Sequence, residues 1–179
     1  MDVVRMVDEE DLELVKSIQD GLTFSLPDSL KESLAYFISA SASLRVNGYA
    51  KPLTMLVHTS NKKDHHDKMH DSIFDWLINN KKEVIELTES VWNYERMRFN
   101  LEVLKNIVGN VSKAFNDSFQ LLPYELIRNE VLEILKQVSN IQKDDLGNNL
   151  YHNGIHMCID NSKYNSRDEE KHVRLDYPK

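Results

Sequence analysis

The chain has 179 residues, 41% hydrophobic and 28% charged, with a formal net charge of −7. That is an ordinary globular composition, long enough to bury about 70% of the unfolded surface, and its acidic balance excludes a broadly basic nucleic-acid binder while permitting a local basic patch. The lone cysteine, Cys158, excludes an internal disulfide and fits a reducing cytosol. With no apolar run near the ~20 residues of a membrane span and no signal-peptide pattern, we expect a cytoplasmic protein with no membrane partner.

Residues 1–25 form an acidic opening segment, in which Leu12, Val15 and Ile18 predict a short helix ended by Gly21. Ser29 followed by Glu32 is a capping box. Leu30, Leu34, Phe37, Ile38 and Ser41 then recur on one face up to Asn47-Gly48, predicting a helix that packs on a sheet face. Leu53–Val57, ending at His58-Thr59-Ser60, reads as a strand buried on both faces. A helix follows from Asp64 to about Asn79, with Met69, Ile73, Trp76 and Leu77 on one side. Strand, polar corner and helix make half of a βαβ unit, and ligands of open α/β sheets sit at such corners.

Residues 82–142 carry helical stripes: Val84, Leu87 and Val91; Leu101 to Phe115; and Ile127, Val131, Ile134 and Val138. We read them as a large helical insertion of two or three packed helices. Residues 143–149 are a loop by composition. Ile155–Ile159 reads as a second buried strand, parallel to Leu53–Val57, with the polar ends of the two meeting near His58 and Asn161. Residues 163–179 are a polar tail. The fold class expected is helix-rich α/β, a small parallel sheet with a large helical insertion.

The chain contains no Gly-x-x-x-x-Gly-Lys-[Ser/Thr] loop, no Gly-x-Gly-x-x-Gly and no Gly-x-Ser-x-Gly, so nothing in it cradles ATP and no cofactor is expected. His66 and His70, four apart, could share a metal with Asp67. A solvated helix start outweighs that arrangement, since acids are favourable there. Asp160 with Glu169-x-Lys171 has the elements of a divalent-ion nuclease site, but sits in a charge run rather than an alternating strand. Lys62, Lys63 and Lys68 beside the Thr59 and Ser60 hydroxyls could meet a phosphate backbone.

Leu26-Pro27-Asp28-Ser29-Leu30, then Met55-Leu56-Val57-His58-Thr59-Ser60, then Asp160-Asn161-Ser162 and Leu175-Asp176-Tyr177, resemble in that order the Z1 (Z-one) domain family of bacterial and phage proteins. The resemblance implies an endonuclease-associated, helicase-like parent of restriction or phage-defence type, in which ATP and magnesium serve an upstream motor. It implies that residues 26–179 are part of such a domain, similar to the start of a RecA-like lobe, and that the chain is a fragment inactive by itself. The nucleic-acid contacts implied are His58, Thr59, Ser60, Lys62, Lys63, Asn161 and Ser162, with DNA as a weakly held partner. Homodimerisation is expected if the sheet is left with an open edge. Two other functions fit the residues: a helical interaction module using the Leu101–Phe115 seam, or a metal-dependent hydrolase using His66, His70 and Asp67.

Overall fold

The computed structural model describes residues 7–99 and 121–159. Among them are five helices: α1 Glu9–Asp20, α2 Asp28–Val46, α3 Lys63–Asn79, α4 Lys81–Arg98 and α5 Tyr124–Lys136. Four short strands follow: β1 Val138–Asn140, β2 Gln142–Lys143, β3 Asn149–Leu150 and β4 Ile155–Met157. The protein is therefore helix-rich α/β with a small parallel sheet, as expected. The chain divides into two units, one of Met1–Asp8, Ser29–Met55 and Lys82–Leu132, the other of Glu9–Asp28, Leu56–Lys81 and Glu133–Lys179.

In the first unit, α2 and α4 meet through small residues. Ala35, Ser39 and Ala42 are buried along one stripe of α2 beside Ile38, and small side chains allow two helix backbones to approach closely. Ser39 Oγ lies 2.9 Å from the Ala35 carbonyl and 3.1 Å from that of Thr88 on α4, sharing one proton between them. The Tyr36 ring stacks on Trp92 at 6.5 Å. The expected sheet behind α2 is thus replaced by α4. Thr88 donates to the Ile85 carbonyl at 2.7 Å, leaving its oxygen to accept from the Tyr124 hydroxyl at 2.8 Å. Burial pushes the Tyr124 phenol above its ordinary range, against the lowering effect of the Thr88 bond. Trp92 Nε1 donates to the Leu122 carbonyl at 2.8 Å, and Ile127 and Val131 on α5 are fully buried.

In the second unit, α1 packs on α3, and α3 on β1. The predicted stripe of α3 is the buried one, with Met69, Ile73, Trp76 and Leu77 all inside. Gly21 ends α1 as the periodicity predicts. At φ +75° its N–H bonds to the Ile18 carbonyl and that of Leu22 to Ser17, both at 2.9 Å. Those two bonds form a Schellman closure, which needs a left-handed residue at this position.

The strands differ from expectation. Leu53–Val57 forms no strand; Leu53, Met55 and Val57 are half-buried while Leu56 is 79% exposed. The parallel partner of β4 is β1, with Val138 opposite Ile155, Ser139 opposite His156 and Asn140 opposite Met157. Val138, read as the end of a helical stripe, is the first residue of that strand. Short apolar runs carry no record of which segment they pair with, so pairing is settled by tertiary packing. The parallel pair needs a crossover, and residues 141–154 supply it with the antiparallel β2–β3 ladder in place of a helix. The loop read at 143–149 is its turn. Asp144 Oδ1 accepts from the N–H groups of Leu146 and Asn148 at 2.9 and 2.8 Å. The Asn148 side chain and those amides hold the carboxyl below its usual range.

Candidate functional site

The polar corner between Leu56 and α3 is built without a strand, so side chains anchor it. Gln19, in the last turn of α1, donates from Nε2 to the Thr59 carbonyl at 3.2 Å. Its own carbonyl accepts from Lys68 Nζ, a cation at the negative end of α1. Lys68 thus has one of its three donors engaged by the end of α1. Ser60 is the pivot of the turn. Its hydroxyl oxygen accepts the Lys62 N–H at 3.2 Å and lies 3.0 Å from Nδ1 of His65, while its carbonyl accepts from Nε2 of His66. The His58 ring stands edge-on to His66 at 5.6 Å.

Of the residues expected to touch nucleic acid, His58, Lys62 and Lys63 are exposed, and Thr59 and Ser60 are half-buried. All five lie on one short path into α3. Lys62 occupies the N-cap position with φ −93° and ψ 134° and makes no side-chain cap bond. The first amides of α3 are the positive end of its dipole. Lys62 and Lys63 stand beside this positive helix end, with Asp64 in its first turn as the opposing charge. Asn161 and Ser162, Asp160 with Glu169 and Lys171, and the Leu101–Phe115 seam lie outside the described residues.

The histidines do not converge on a metal-sized point. His66 turns to Ser60, whereas His70 is buried, with Nε2 2.8 Å from Asn140 Oδ1 and Nδ1 3.1 Å from Asp71 Oδ1. Among the described residues no group of three His, Cys, Asp or Glu side chains could hold a metal ion. His70 instead ties α3 to β1 and stacks on Phe74, with ring centroids 6.0 Å apart.

Sequence reasoning passed over a second polar cluster at the parallel strands. Ser139 Oγ on β1 lies 2.9 Å from His152 Nε2, the spacing of a nucleophile and its base. The protonation runs the wrong way for that chemistry. Nδ1 of His152 accepts the Gly154 N–H at 2.9 Å, so the neutral ring carries its proton on Nε2 and donates to the serine. His156, whose ring centroid is 3.7 Å from that of His152, accepts the His152 N–H on Nε2 at 2.8 Å. Burial, and then the neighbouring His156, hold the His152 imidazole below its ordinary value. The cluster therefore fastens the crossover to the sheet. The four-residue spacing of His152 and His156 around Asn153-Gly154 was the one signal available for it in the sequence.

No helix among the described residues is long and apolar enough to cross a membrane. A family model, described as the Z1 domain, matches residues 29–179, nearly the whole chain. No curated protein and no solved structure matches it.

Proposed function

The chain belongs to the Z1 domain family, and from that premise we propose that it serves an endonuclease-associated, nucleic-acid-processing protein by contacting the phosphate backbone at the Thr59–Lys63 corner, without catalysing cleavage itself. The observation that carries the proposal is the start of α3. There two exposed lysines stand at the positive end of a helix, beside the Thr59 and Ser60 hydroxyls, a combination suited to an anionic oxygen. Gln19 and Ser60 hold the corner in place from behind.

Two lysines in a protein of net charge −7 make weak, salt-sensitive binding. Each phosphate neutralised on duplex DNA contributes roughly −0.9 to the slope of log affinity against log salt. Titration of a fluorescent duplex at low salt should give a slope near −2, and Lys62→Glu with Lys63→Glu should abolish binding. Unchanged affinity in that double variant would move the interface elsewhere. ATP or DNA hydrolysis by the purified chain would overturn the non-catalytic part.

A further inference from the structure

Asparagine precedes glycine at two places in this chain, Asn47-Gly48 and Asn153-Gly154. The pair has a chemistry of its own, because a glycine nitrogen has no side chain beside it to shield it and can attack the amide of the preceding asparagine. The two glycine nitrogens are bonded differently. That of Gly48 donates to the Arg45 carbonyl at 2.8 Å, in the closure of α2, and a carbonyl oxygen is too weak a base to carry off a proton. That of Gly154 donates to Nδ1 of His152 at 2.9 Å, and a neutral imidazole nitrogen can take one. Toward Ser139 the same ring is the donor, through Nε2 at 2.9 Å. Its basic nitrogen faces the glycine.

Packing keeps that glycine in place. A Cβ at position 154 would lie 1.9 Å from the Gln137 carbonyl oxygen, so the attacking nitrogen stays unshielded. Asn153 is exposed, open to the entry of water and the loss of ammonia. It makes a contact of its own, and the attack falls on its Cγ rather than on the polar atoms that a contact engages.

We propose that Asn153-Gly154 is a self-modification site with His152 as its base. The Gly154 nitrogen bonds to Cγ of Asn153 and gives its proton to Nδ1 of His152, which passes it to the departing amide nitrogen. The Cγ–Nδ2 bond breaks, ammonia leaves, and a cyclic imide joins the two residues. Water then opens the imide at either carbonyl, its hydroxyl going to carbon and its hydrogen to nitrogen, to give aspartate or isoaspartate. Nothing is oxidised or reduced. Either product sets a carboxylate close to His152 and His156, whose ring centroids lie 3.7 Å apart. Isoaspartate also lengthens the backbone just before β4.

Peptide mapping by mass spectrometry of the intact chain, incubated at a series of pH values, tests it. Asn153 should convert at least about tenfold faster than Asn47 at neutral pH. The groups facing the His152 ring are His156 on β4 and Ser139 on β1, with Tyr151 edge-on to His156 at 5.4 Å. Burial and the neighbouring His156 hold the imidazole below its ordinary value, so the base is already neutral above about pH 6.5. The Asn153 rate should therefore level off from there upward, whereas conversion driven by hydroxide climbs about tenfold per pH unit. His152→Gln should restore that climb at Asn153, whatever the variant does to the absolute rate by loosening the crossover. Conversion at Asn153 no faster than at Asn47, a parent rate that keeps climbing with pH, or a plateau that survives His152→Gln would each overturn the proposal.

Discussion

Trp92 on α4 and Trp76 on α3 are buried to nearly the same degree, yet their indole N–H groups fare differently. That of Trp92 donates to the Leu122 carbonyl at 2.8 Å. That of Trp76 meets no acceptor among the described residues. The contrast extends to the units they occupy. The first is helical, its buried Ser39, Thr88 and Tyr124 joined in one chain of hydrogen bonds. The second combines two helices with short strands and an irregular corner, and polar side chains do the fastening: Gln19 to Thr59, His70 to Asn140, His152 to Ser139. Helices satisfy their backbone internally, so a helical unit depends on its core. Where the backbone is irregular, its carbonyls and amides need side-chain partners, and stability rests on those partners.

The sharpest break between the units is expected at Gly154. A Cβ there would lie 1.9 Å from the Gln137 carbonyl oxygen, the same oxygen that accepts the Ile155 N–H at 2.9 Å. Backbone atoms cannot swing aside as a side-chain tip does. Gly154→Ala should therefore destabilise by about 3 kcal/mol or more, and amide exchange should accelerate first at β1 and β4. Exchange that speeds up uniformly across both units would remove the distinction drawn here.

A smaller effect separates the tryptophans. Trp92→Phe loses the bond to Leu122 and leaves that carbonyl without its donor, for about 1–3 kcal/mol. Trp76→Phe also loses volume, but removes an N–H whose burial is already unfavourable, so its loss should be under about 1 kcal/mol. Urea denaturation of both variants measures the difference. Equal losses would mean that Trp76 has an acceptor in solution.

The smallest expected effect is one of pH. The folded His152 imidazole titrates below its ordinary value because it is buried and faces His156. As pH falls below about 6.5 the unfolded chain takes up the proton first, so stability declines from there down to the folded value and is flat beyond it. His152→Gln removes this group's share of the decline. Thermal melts across that range should show a shallower acid slope in the variant than in the parent. Parallel curves would show that the ring is not held neutral.

Sequence pattern located α2 and α3 to within a residue or two, the end of α1 at Gly21 and the start of the helical stretch at α4, and the buried face of α3 residue by residue. It also marked the stops at Gly21 and Gly48, the latter at φ +84°, and carried the family resemblance that the match to residues 29–179 bears out. The lysine corner was legible as a place because it precedes an amphipathic helix. Its anchor Gln19 was not, for it lies 40 residues from Thr59. The strands divided the same way: Ile155–Met157 was readable as a strand, whereas Leu53–Val57 was misread and Val138–Asn140 was lost inside a helical stripe. A helix closes its hydrogen bonds within four residues, so its period is written locally. A strand, a side-chain anchor and a glycine packed against Gln137 depend on groups brought near only by folding. Tertiary structure alone therefore decided the strand partner, the bond from Lys68 to the end of α1 and the tautomer that makes His152 a fastener rather than a base toward Ser139.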